Sequence, residues 1–221
     1  RVNRHETVWR SEGTILDLDN GWHAYAPQVV VYGSGAAKVV WLEQFRVQFR
    51  IWTNHFKPSV DPLQQRWWGA ERIETDTDTV GIPALVEYDG GGATAAWREV
   101  DGLGHPNAWA SRYDPVGLDW ETAVPLGNAD ALLLEDLRLV ADAGNNVMAI
   151  WHQVDGADNS VWANRYTVGS GWGDPEPLEA DAGVPPTPEV AMDPAGNAIV
   201  VWAHWDDTIP NTHDIWARHY D

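Results

Sequence analysis

The 221-residue chain contains no cysteine, so no disulfide, thiolate metal site or cysteine nucleophile is available to it. Lysine is nearly absent as well. Lys38 and Lys57 are the only two, and the remaining positive charge is carried by arginine. Against 33 acidic residues the 14 Lys and Arg leave a net charge of −19. A field of that sign repels polyphosphates and anionic lipid, which argues against nucleic-acid binding and membrane docking. A saline habitat or simple solubility accounts for the acidity equally well. No apolar run approaches the ~20 residues of a membrane span. No secretory signal pattern opens the chain, whose first residue is Arg, so it reads as a processed chain whose targeting segment is gone. Also missing are any ten-residue stretch with helical periodicity, any G-x-S-x-G elbow, any phosphate loop and any H-E-x-x-H spacing.

Tryptophan, by contrast, is abundant. Twelve of the fifteen fall into three columns at a period of roughly fifty residues. The first column is Trp41, Trp97, Trp151 and Trp202. The second is Trp52, Trp109, Trp162 and Trp216, each followed four residues later by Phe56, Tyr113, Tyr166 or Tyr220. The third is Trp9, Trp67, Trp120 and Trp172, each followed by an apolar residue at Ile15, Ile73, Leu126 or Leu178. Val29, Leu85, Leu139 and Val190 form a fourth column ahead of the first. Each copy reads as four short strands, A to D, with Gly/Asn turns such as Gly144-Asn145 and Gly196-Asn197 between A and B.

The expected fold is therefore all-β: a four-bladed β-propeller of four-stranded blades, with repeats at about 16–73, 74–126, 127–178 and 179–221 plus 1–15. In that reading residues 1–15 supply the last blade's missing strand and close a monomeric ring as one domain. The twelve in-frame tryptophans are then core, packed between blades.

The stretch Pro188-Glu-Val-Ala-Met-Asp193-Pro-Ala-Gly-Asn197-Ala-Ile-Val-Val-Trp202, with Val161-Trp-Ala-Asn-Arg-Tyr166 and Gly171-Trp-Gly173, resembles the repeats of bacterial secreted proteins with Trp-containing propeller blades. Copies one and two depart from the pattern, with Tyr32 and Tyr88 at the Asp position. The resemblance covers nearly the whole chain and implies propeller architecture and a periplasmic or extracellular location. It does not imply an activity.

Strand alternation puts the B–C and D–A connections on one face and the A–B and C–D connections on the other. Most departures from the repeat fall on the first face, where Trp22, His23, Tyr25, Phe45, Arg46, Phe49, Trp205 and His213 are the expected binding residues. They read as loop residues there, with a hydrophobic lid, or for Phe45 and Phe49 a longer hairpin, as the structural alternative. Trp68 falls on the opposite face. The D–A segments are acidic, and Asp17, Asp19, Asp76, Asp78 and Asp181 are weak candidates for Ca²⁺; turns on a solvated rim explain them more simply. No cofactor is expected. The resulting expectation is a non-catalytic interaction module or accessory subunit that takes a protein partner. A sugar-binding propeller is the alternative, and a hydrolase using rim carboxylates a weaker one.

Overall fold

The computed structural model describes residues 16–17, 21–59, 66–74, 79–128, 131–156, 158–179, 187–205 and 212–221. Among them are nineteen strands, one 3-10 turn at Asp89–Gly91 and no α-helix. The strands form four antiparallel sheets in chain order. The first holds β1 (His23–Val31), β2 (Ala37–Phe45), β3 (Gln48–Lys57), β4 (Arg66–Trp67) and β5 (Glu71–Arg72). The second holds β6 (Thr79–Val80), β7 (Ala84–Tyr88), β8 (Gly92–Val100), β9 (Pro106–Asp114), β10 (Asp119–Trp120) and β11 (Val124–Pro125). The third holds β12 (Leu133–Ala141), β13 (Val147–Asp155), β14 (Asp158–Thr167), β15 (Gly171–Trp172) and β16 (Glu176–Pro177). The fourth holds β17 (Glu189–Met192), β18 (Ala198–Trp205) and β19 (His213–Tyr220).

The first two tryptophan columns meet as register partners in every sheet: Trp41 opposite Trp52, Trp97 opposite Trp109, Trp151 opposite Trp162 and Trp202 opposite Trp216. Directly opposed residues share a face, so each pair presents one aromatic ledge. Three inter-sheet cores follow. Val40, Leu42 and Ile51 meet Ala95 and Trp97; Ala96 and Ala108 meet Leu137 and Trp151; Met148, Ile150 and Val161 meet Val200 and Trp202. The inner strands stand side by side in the same order, β1 by β7, β7 by β12 and β12 by β17.

A second set of contacts repeats at these interfaces. A cation from one sheet lies over the tyrosine four residues beyond the second-column tryptophan of the next: Lys38 over Tyr113 at 3.0 Å, Arg112 over Tyr166 at 3.6 Å and Arg165 over Tyr220 at 4.8 Å. The A–B turns form as their composition predicts. Asn145 and Gly196 take φ of 64° and 94°, the left-handed conformation that Asn tolerates and Gly adopts freely.

Two expectations change. In the first three sheets the fourth strand is split, so strand D becomes β4 with β5, β10 with β11, and β15 with β16. The tryptophans are not uniformly core. The first column is buried, Trp52, Trp109 and Trp162 are half-buried, and Trp216 is 46% exposed. Trp216 lies on β19, every residue of which is exposed. The strand expected to close the ring, 1–15, lies outside the described residues, as does Trp9.

Candidate functional site

A cavity of about 800 Å³ opens among the first three sheets, at the end where β7 and β12 begin. Its walls include Gln28 from β1, Phe49 from β3, Arg98 from β8, and Glu135, Asp136 and Arg138 from β12. This is the face carrying the B–C and D–A connections. Gly81 is fitted closely against Arg98: its N–H donates to the Arg98 carbonyl at 2.7 Å, and a Cβ there would lie 3.2 Å from Arg98 Nε. A larger residue at 81 would displace the guanidinium from the wall. A second cavity, about 560 Å³, lies at the opposite end, among the A–B turns and lined by Tyr32, Tyr88 and Asp142.

A backbone irregularity creates the charged group at the first cavity. Successive side chains of a strand point to opposite faces. The pairing of β12 with β13 shifts register between Glu135 and Arg138, and Asp136 takes φ of 54°. Such a bulge re-aims side chains, and bulges are concentrated near active sites. Glu135 pairs with His152 across the ladder. One ligand atom from each of Glu135, Asp136 and His152 lies within 4.8 Å of the others. His152 is buried, and its Nε2 is 2.6 Å from Asn159 Oδ1. Two carboxylates and an imidazole so placed offer a proton donor and acceptor side by side, or mixed O/N ligation for a divalent ion. Arg138 reaches Glu189 on the fourth sheet at 3.6 Å.

A buried acceptor column lies behind these groups. Trp41, Trp97 and Trp151 donate their indole N–H to Glu43, Glu99 and Gln153, at 3.2, 2.8 and 2.8 Å. In the fourth sheet His204 stands at that position, and Trp202 donates instead to Glu179 at 2.6 Å. Glu179 also accepts from Val161 N–H, as the equivalent Glu74 accepts from Ile51 N–H. Arg50 and Arg72 each lie 3.5 Å from Glu74. Burial pushes the Glu74 carboxyl up to about 7, outweighing the backbone N–H bonds and the two guanidinium groups that pull it down.

The eight expected binding residues separate into two groups. Trp22 packs on Phe45, ring centroids 4.5 Å apart, and the Arg46 guanidinium lies 5.1 Å from the Phe45 centroid. His23 lies 6.2 Å from Tyr25, whose hydroxyl donates to Gln44. On the fourth sheet Trp205 packs on His213 at 4.6 Å. Several are strand residues rather than loop residues, which corrects the expectation. His23 and Tyr25 lie on β1, Phe45 ends β2, Trp205 ends β18 as the register partner of His213, and Phe49 lies on β3. The longer-hairpin reading of Phe45 and Phe49 is the one observed, joined by the turn at Arg46-Val47. Phe49 packs on the core between sheets one and two and is the only one of the eight in the wall of the cavity.

Of the weak calcium candidates, Asp19, Asp76, Asp78 and Asp181 lie outside the described residues, and Asp17 by itself makes no site. Glu135, Asp136 and His152 were missed. The adjacent carboxylates Glu135-Asp136 inside the leucine-rich Leu132–Leu137 run were the available signal.

No family model and no curated protein matches this chain. Solved structures do. It is similar to a Hadza microbial sialidase, with a TM-score of 0.59 and 13% identity over 88% of this chain and 44% of that one. It is similar to the GH93 α-L-arabinofuranosidase of Fusarium graminearum, solved with arabinobiose, at 0.61 and 13% over 93% and 65%. A PL25 ulvan lyase bound to -[GlcA(1-4)Rha3S]- superposes at 0.61 and 10% over 87% and 52%. The chain thus spans about half to two thirds of the length of these structures. At such identity the likeness establishes the β-propeller type of fold. The expectation of a non-catalytic module is corrected, because the three solved structures it resembles here are a sialidase, an arabinofuranosidase and a lyase.

Proposed function

We propose that this chain is a carbohydrate-active β-propeller domain that takes a glycan at the cavity beside β7 and β12. The observation that carries the reading is the pair Glu135 and Asp136 in the wall of that cavity, with His152 beside them, in a fold shared with proteins that act on arabinose- and uronate-containing chains. Glycoside hydrolysis needs two carboxyl groups flanking the scissile bond, about 5–5.5 Å apart when stereochemistry is retained. Carboxylate oxygens of Glu135 and Asp136 lie within 4.8 Å of each other, close to that separation, and the bulge is what turns Asp136 toward the side Glu135 occupies. Glu135, the more exposed, faces incoming substrate. Asp136 and His152 hold or pass a proton, and Arg98 and Arg138 bind hydroxyl or carboxylate groups of the sugar. The comparisons favour this sugar-directed reading over a protein-binding accessory subunit.

The finer architecture belongs to the same proposal. The four sheets are blades of a closed ring. Trp41 supports closure. It is 5% exposed, nearly as buried as Trp97 and Trp151 at 0%, although it belongs to none of the three inter-sheet cores. A substrate of this class places the working protein outside the cytoplasm.

The test is reducing-end or unsaturated-product release from a panel of neutral and uronate-containing polysaccharides. Activity is expected to fall at least about a hundredfold in Glu135→Gln, at the low end of what a positioned acid or base contributes. A panel with no product, or full activity in Glu135→Gln and Asp136→Asn, overturns the proposal.

A further inference from the structure

The outer corner of the first sheet carries a charge arrangement that its own fold does not use. Strand β3 ends at Lys57, whose register partner on β4 is Arg66. Like charges directly opposed on an antiparallel pair repel each other. Neither side chain makes an ion pair among the described residues. The equivalent corner of the second sheet opposes Asp114 to Asp119, and that of the third opposes Thr167 to Gly171. In the second sheet Asp114 has structural work, accepting from the N–H groups of Val116 and Gly117. Lys57 and Arg66 have none of that kind. Their charged groups lie 5.9 and 5.5 Å from the centre of one ring, Trp68.

Trp68 is one of the three tryptophans outside the repeat columns. Its equivalents after Trp120 and Trp172 are Glu121 and Gly173. Its ring rests against His55 at 4.9 Å, tilted by 31°, and the residue is 47% exposed. A groove of about 180 Å³ continues from it between the first and second sheets, past Phe56 and Tyr113 to Lys38. Both lysines of the chain line this groove, and among the described residues no Asp or Glu does, in a protein of net charge −19. Burial holds the Lys38 ammonium down to about 8, against the opposing pull of Glu71 on β5, outside the wall. An aromatic ring packed against His55 and nearly half exposed, flanked by two cations that make no ion pair among the described residues, matches a flat apolar ring face that bears an anionic substituent.

We propose that this corner is a binding site for an acidic saccharide of the uronate class, in which Trp68 stacks on the pyranose and Lys57 with Arg66 takes its carboxylate. The carboxylate lies between two cations that otherwise repel, and the Arg66 fork accepts it in a bidentate manner. A simple anion would make no use of Trp68. The site lies on the face opposite the Glu135 cavity and is independent of it, so a uronate-bearing chain held here is retained without being processed here.

The test is isothermal titration calorimetry of the whole chain with tetragalacturonate, with xylotetraose as the neutral comparison. Tetragalacturonate is expected to bind, to weaken as salt rises, and to lose at least tenfold in affinity in Trp68→Ala and separately in the Lys57→Gln/Arg66→Gln pair. Glu135→Gln should leave this binding unchanged. No binding, equal binding of xylotetraose, or affinity that survives both sets of variants overturns the site. Affinity lost in Glu135→Gln but kept in Trp68→Ala assigns the saccharide to the cavity, which overturns this inference while supporting the proposed function.

Discussion

In the third sheet the turn after β12 is organised around Asp142. Its carboxylate accepts the N–H groups of Gly144 and Asn146 and the Asn146 amide, and it pairs with Arg165 at 3.0 Å. Arg165 in turn donates to the Gly196 carbonyl of the fourth sheet. In the first sheet the same position is Tyr32, which reaches the next sheet directly by donating its hydroxyl to the Gly92 carbonyl at 3.1 Å. Both arrangements tie one sheet to its successor. The third does so through a buried charge network and the first through a single neutral bond. The interval between sheets is thus fixed by the apolar columns, while the polar fastening is free to change from one copy to the next.

The largest expected effect tests that contrast. Removing one member of a fully buried ion pair costs about 3–5 kcal/mol, and less where, as here, the Arg165 side chain is 18% exposed, whereas one neutral hydrogen bond contributes about 0.5–1.5 kcal/mol. Asp142→Ala should therefore lower stability in urea unfolding several times more than Tyr32→Phe. Equal losses would mean that the charge network adds nothing beyond what a hydroxyl supplies. Burial pushes the Asp142 carboxyl up, but the Asn146 amide, the turn N–H groups and Arg165 together hold it below its ordinary value. Its contribution is therefore complete above the unfolded value and is lost as pH falls through the folded one.

The columns behind this comparison could be read without coordinates because they depend on period alone. Trp97, Trp151 and Trp202 recur at the repeat length, and each is buried between sheets. What could not be read depends on register. The Glu135–Asp136–His152 group exists only because β12 slips against β13, a property of two strands that neither segment states by itself. Ala26 in β1 takes φ of 47° at a similar slip, and nothing about alanine announces it. Trp205 reads as a loop residue because the repeat ends at Trp202, yet pairing with His213 extends the strand to it. The opposition of Lys57 to Arg66 was hidden for the same reason: which residues face each other is decided across a connection whose length differs between copies.

A smaller effect distinguishes the acids at the ends of the two sheets. Glu179 receives the Trp202 indole N–H, whereas Glu74 faces Arg50 and Arg72 and is held up to about 7. The unfolded carboxyl titrates near its ordinary value, so between about 4.5 and 7 the folded chain binds a proton that the unfolded chain has released. Stability from Glu74 therefore falls as pH rises, by up to about 1.4 kcal/mol per pH unit. His55 acts in the opposite sense. Burial, Lys38 and Lys57 push it down to about 4, so between there and about 6.5 the unfolded chain holds the extra proton and stability rises with pH. Over the shared interval the two contributions oppose each other in the wild type. Thermal unfolding from pH 4.5 to 6.5 should show stability rising with pH in Glu74→Gln and falling in His55→Asn. Parallel curves for the two variants would remove this account of the first sheet.

The smallest effect concerns Lys57, and its direction matters more than its size. In the third sheet the corresponding pair, Thr167 and Gly171, carries no charge, so Thr167→Glu gains no cross-strand partner. In the first sheet Lys57→Glu turns a repulsive pair with Arg66 into an attractive one. A cross-strand pair of opposite charges contributes about 0.2–1 kcal/mol. The variant is thus expected to be slightly more stable than the wild type in urea, while losing affinity for tetragalacturonate by at least tenfold. A gain in stability with a loss of binding is the signature of a charge retained for a ligand rather than for the fold. If Lys57→Glu is less stable than the wild type, the lysine is holding the corner together through contacts other than Arg66, and its charge needs no ligand to explain it.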